Sequence, residues 1–80
     1  MPYVTIRLIK EFQTPESKAK FIARISETVA DVIVEDSGAD RAKVLAHTTV
    51  IVEEIPAENW GNNGVPLTVE SVKELVGISE

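Results

Sequence analysis

The stretch "PYVTIRLIK", residues 2–10, decides the fold. Val4, Ile6 and Leu8 fall on one side of a period-two repeat, and Tyr3, Thr5, Arg7 and Ile9 on the other. That alternation predicts a β-strand with one strongly apolar face. Pro2 stands at its start, where a missing backbone N–H breaks no ladder. A second reading attaches to the same residue. Met1 is commonly trimmed before proline, which would leave Pro2 with a free secondary amine, a group able to act as a general base. The rest of the chain has to separate a strand-starting proline from a working one.

Outward from this strand, "EFQTPES" reads as a loop, with Thr14 as N-cap, Pro15 at the first helical position and Glu16 at the positive end of the helix. The helix is predicted from about Pro15 to Val34. Phe21, Ile22, Ile25, Val29, Val32 and Ile33 recur at three- and four-residue steps, while Lys18, Lys20, Arg24, Glu27 and Asp31 mostly lie opposite. Gly38 is a natural stop, and "ADRAKV" can add a short helical turn. "HTTVIVEE" is rich in β-branched residues and predicts a second strand from about Ala46 to Glu54. In "IPAENWGNNGVP", residues Gly61 to Gly64 tolerate the positive φ of a tight hairpin. Thr68 then caps a short helix over Val69 to Val76, with Val72, Leu75 and Val76 expected inward.

The order is strand, long helix, strand, hairpin, short helix, an α+β chain read as a single domain over residues 1–80. A long helical connection makes the two main strands parallel if they are neighbours. One helix covers one sheet face. The other face, with Tyr3, Thr5, Thr49 and Ile51, stays open, and a two-stranded sheet does not stand alone. It is expected to pair with other copies of the chain.

Composition narrows the function. Eighty residues bury a modest core, and with no cysteine there is no disulfide to compensate, so oligomerisation is the expected source of stability. A net charge of −5 argues against a nucleic-acid surface. No targeting pattern and no apolar run of membrane-spanning length is present, so a soluble cytoplasmic protein without membrane partners is expected.

With Met1-Pro2, the β-α-β order, "VIVEEI" and the "ENWGNNG" segment all in place, the chain resembles the 4-oxalocrotonate tautomerase family of the tautomerase superfamily over nearly its whole length. The resemblance implies short β-α-β subunits that pair into four-stranded dimers and assemble further; a hexamer is favoured, with dimer and trimer as alternatives. It implies an amino-terminal proline, here Pro2, that shuttles a proton on a small enol or 2-oxo acid, with no metal or organic cofactor. Trp60 would stand at the wall of the active site, frequently shared between subunits. Together with Ile9 it would give apolar surroundings that disfavour the ammonium form and favour a base near neutral pH.

The family pattern breaks at two places. Its best-known members carry an arginine in the loop after the first strand and another early in the second, both for substrate carboxylates. Here Phe12 or a close neighbour takes the first position and Thr49 the second. Thr49 can donate one hydrogen bond but cannot replace a bidentate guanidinium. Lys10 and Arg7 are the nearest cations; each has a plainer reading, Lys10 as a solvated strand end and Arg7 as one half of a salt bridge across a dimer. His47 is expected on the strand face of Thr49, as a hydrogen-bonded surface residue ahead of any catalytic role. The expected activity is a tautomerase-type isomerisation. Its rivals are a cofactor-free hydratase or dehalogenase using the same proline, and a non-catalytic oligomer that kept the fold.

Overall fold

The computed structural model describes residues 2–78; the fate of Met1 lies outside the described residues. Strand β1 (Tyr3–Ile9) is followed by helix α1 (Pro15–Ser37), a short helix α2 (Arg41–Ala46) and strand β2 (Thr49–Ile55). A 3-10 turn (Ala57–Asn59), a hairpin of β3 (Gly61–Asn62) and β4 (Val65–Pro66), and helix α3 (Val69–Val76) complete the chain. β1 and β2 run parallel, with Tyr3 opposite Thr49, Arg7 opposite Glu53 and Ile9 opposite Ile55. This is the β-α-β arrangement expected from the element order and the long helical connection between the two strands.

Local chemistry explains the boundaries. Thr14 caps α1: its Oγ1 accepts from the Ser17 N–H at 3.1 Å, and Ser17 Oγ accepts from the Thr14 N–H at 2.8 Å. Thr68 and Ser71 repeat the device at α3, both bonds at 3.0 Å. Each pair satisfies two N–H groups that a helix start otherwise leaves open. α1 ends at Gly38, whose φ of 72° suits a residue without a Cβ. It runs three residues past the predicted end at Val34. In the hairpin, Asn63 and Gly64 both take positive φ, 55° and 79°, as a two-residue turn with matched twist requires.

Two expectations are corrected. The second strand starts at Thr49, not Ala46. The chain is still winding there: α2 extends to Ala46, and Thr48 donates its Oγ1 hydrogen to Val44 O at 2.7 Å. His47 is therefore the C-cap of α2, with Nδ1 2.8 Å from Lys43 O, and not a strand residue beside Thr49. On α3, Val72 is buried as expected, but Leu75 and Val76 are 71% and 62% exposed.

The open sheet face is real in the single chain. Tyr3 is 65% exposed and Ile51 is exposed beside it. Among the described residues only Ala30, Ala57 and Val72 count as buried core. α2 is tied to α1 by Arg41, whose Nε donates to Asp31 Oδ1 at 2.7 Å and whose pKa that carboxylate raises. Among the described residues, no helix is long and apolar enough to cross a membrane.

Candidate functional site

The two ends of β1 carry two different groups of residues. At its start, Pro2 is half-buried, and its carbonyl accepts from the Thr49 N–H at 3.0 Å. This bond adds one rung below the Tyr3–Thr49 pair and fixes Pro2 to a rigid sheet end. The Thr49 hydroxyl is exposed and has no partner among the described residues.

At the other end lies a cavity of about 390 Å³ lined by Arg7, Leu8, Ile9, Phe12, Gln13, Trp60, Val72 and Val76. Its size suits a small ligand. Trp60 reaches it from the segment between the 3-10 turn and the hairpin. Its N–H donates to Ala57 O at 3.0 Å, and its carbonyl accepts from the Leu67 N–H at 2.8 Å. The 3-10 turn on one side and the end of the hairpin on the other thus hold the Trp60 backbone. Buried Val72 of α3 lines the same cavity, which is how the C-terminal helix enters the site.

The loop that carries Phe12 and Gln13 is held in a fixed shape. The Lys10 N–H donates to Ile55 O at 2.8 Å and extends the ladder past β1. Glu11 then takes φ 84°, a conformation that side-chain-bearing residues seldom adopt. Glu54 anchors the turn. Its Oε1 accepts from Lys18 Nζ at 2.6 Å. That hydrogen bond holds the Glu54 carboxyl below the usual range, against the opposing pull of burial; the Lys18 charge, the Glu11 backbone N–H and the charge of Lys10 act with it.

Of the residues singled out in the sequence, Arg7, Ile9 and Trp60 therefore meet in one cavity, while Pro2 and Thr49 sit together elsewhere. Seven residue steps of about 3.3 Å separate Pro2 from Ile9, roughly 23 Å. Lys10 lines neither place. Arg7 is half of an ion pair within the chain, its Nε 3.1 Å from Oε2 of Glu53, which stands opposite it in the sheet. Glu53 thereby neutralises the one guanidinium that lines the cavity. Gln13 went unnoticed in the sequence; its place beside Phe12, in the loop where a ligand-binding arginine was expected, was the available signal. A smaller recess of about 250 Å³ beside Ser17, Lys20, Phe21, Arg24 and Ile25 lies along α1 alone and contains none of these residues.

Known proteins share this architecture. The family model described as "Tautomerase enzyme" matches residues 2–70. The 2-hydroxymuconate tautomerase of Pseudomonas putida is 36% identical over 75 residues, covering 94% of this chain and 97% of the relative. The crystal structure of apo unFused 4-OT superimposes with a TM-score of 0.67 at 33% identity, over 82% of this chain and 93% of that one. A structure from work on the 4-oxalocrotonate tautomerase isozymes of Methylibium petroleiphilum does so with a TM-score of 0.52 at 32% identity, over 81% and 90%. Agreement that begins at Pro2 and continues through the Trp60 hairpin into α3 leaves one conclusion: the chain belongs to the tautomerase family.

Proposed function

We propose that this chain is a cofactor-independent tautomerase in which Pro2, freed by removal of Met1, transfers the proton. The observation that carries the reading is the rung between Pro2 O and the Thr49 N–H, which sets the proline ring at a fixed place on the sheet end inside a chain of this family. In the enol-to-keto direction, the neutral Pro2 nitrogen takes the enol O–H proton and, as the ammonium, delivers a proton to the enol carbon as the C=O forms, so the amine ends neutral as it began. In reverse, the nitrogen lone pair takes a proton from the carbon next to the carbonyl. Thr49 offers a hydroxyl to a substrate oxygen.

The substrate is a small enol or 2-oxo acid. Its tail needs an apolar wall, and Ile9, Phe12 and Trp60 supply one. These side chains lie at the far end of β1 from Pro2, so a working site takes its base from one copy and its wall from a neighbour. A soluble homo-oligomer follows from this reading.

The test is enol–keto interconversion of a simple arylpyruvate by three forms: processed protein, Pro2→Ala and a form that retains Met1. A primary amine at the same place is more flexible and less well aimed, and an amide nitrogen has no available lone pair. A general base contributes about 10²–10⁴-fold, so rates should fall in that order of severity with the fold intact by circular dichroism. Equal rates in all three forms overturn the reading.

A further inference from the structure

Resting on that reading, we infer that the Gln13 carboxamide selects the substrate's far end, favouring a tail that ends in a hydroxyl over a bare apolar tail or a second carboxylate. Three observations point the same way.

Gln13 Oε1 is buried and has no hydrogen-bond partner among the described residues. A buried acceptor left unpaired is costly, and native chains rarely keep one without a reason. Gln13 also lines the cavity, between Phe12 and the Trp60 wall. Its terminal torsion is soft, and turning the amide toward a ligand gives up no existing bond from Oε1. The side chain therefore gains a partner on binding and loses none.

The charge balance disfavours the alternative occupant. Arg7 is the one cation that lines the cavity, and it is paired with Glu53. A second carboxylate would enter apolar surroundings where the one lining cation already has a carboxylate partner, which makes it the weaker occupant. A hydroxyl has no such difficulty. It can donate to Oε1 or accept from Nε2, so it fits the carboxamide in either orientation. The loop is also set in advance: the Lys10 N–H donates to Ile55 O and Glu11 is held at φ 84°, so little ordering is left for the moment of binding.

The experiment reads binding apart from turnover. Calorimetric titration of the assembled protein uses 3-phenylpropanoate, 3-(4-hydroxyphenyl)propanoate and 4-(2-carboxyethyl)benzoate, none of which can tautomerise. One neutral hydrogen bond corresponds to about a five- to tenfold preference, so the hydroxylated compound should bind that much more tightly than the phenyl one. The dicarboxylate should bind more weakly than both. Gln13→Leu and the nearly isosteric Gln13→Met should bring the hydroxyl-to-phenyl ratio to about one. Both variants should melt at or above the parent temperature, since each removes an unpaired buried acceptor; a purely structural glutamine would lower the melting temperature on replacement.

A ratio unchanged by either substitution overturns the inference. So does failure of the parent protein to bind the hydroxylated compound, or tighter binding of the dicarboxylate. A failed Pro2 reading looks different: no turnover of arylpyruvates, with the binding ratio intact.

Discussion

On the proposed function, Pro2 combines two roles that a residue inside a strand cannot. Its carbonyl serves the sheet through Thr49, while its nitrogen, once free of Met1, belongs to no ladder. The residues around the loop show a similar division. Glu11 holds the turn after β1 at the expense of a strained backbone, φ 84°. Glu11→Gly should relieve that strain and stabilise the chain by up to about 1 kcal/mol, read from chemical denaturation. An unchanged or lower stability would mean that the Glu11 side chain holds the turn in another way. Gly64 offers the opposite case. A Cβ there meets nothing within 4 Å, so only its φ of 79° resists substitution. Gly64→Ala should therefore cost about 1 kcal/mol through the backbone alone, and because the end of the hairpin holds the Trp60 backbone, its tryptophan fluorescence should shift. Pro2 stood out in the sequence because the chemistry proposed for it is local. Gln13 was not, because an orphaned amide is a property of its surroundings.

At the scale of elements, the helices were legible at their ends. Thr14, Pro15, Gly38 and Thr68 are capping residues whose chemistry acts within one turn, and the structure has each doing that. The start of β2 was not legible, since β-branched Thr48 suits a strand and also back-bonds to a helix carbonyl. The role of Glu54 was hidden for a different reason. A strand-end carboxylate looks solvated until the fold brings Lys18 from α1 to within 2.6 Å. That pair makes a prediction about pH. Glu54 titrates below its unfolded value, so its contribution is present above the unfolded pKa, about 4.3, and is lost as pH falls through the folded one. Between neutral pH and that acid range, the parent protein should lose more melting temperature than Glu54→Gln does. Parallel acid limbs for the two proteins would show that the Lys18 pair adds nothing to stability.

The whole chain has the shape of a part. Its radius of gyration is 16.2 Å, and its extents are 45 × 26 × 17 Å; a compact chain of this length would have a radius of about 12 Å. It exposes 5830 Å², whereas a folded monomer of this mass exposes about 4,800 Å². The difference, on the order of 1,000 Å², is what one side of a stable interface buries. Tyr3, Ile51, Leu75 and Val76 lie on that exposed apolar surface. Sedimentation at micromolar concentration should accordingly show a closed oligomer, and a lone 8.8 kDa species would contradict it. The division of the site supplies a sharper test. On the proposed function, Pro2 and Trp60 serve one site from opposite ends of β1, which requires each working site to join two copies. Pro2→Ala and Trp60→Ala proteins should each be nearly inactive on an arylpyruvate. Unfolded together in equal amounts and refolded, they should recover activity, because random assembly gives about a quarter of the sites an intact proline and an intact indole from different copies. Mixing without unfolding serves as the control and should recover little if the assembly exchanges slowly. If co-refolding restores nothing while the hybrids form normally by mass, the base and the wall do not act in one shared site, and the proposed division of labour between copies fails.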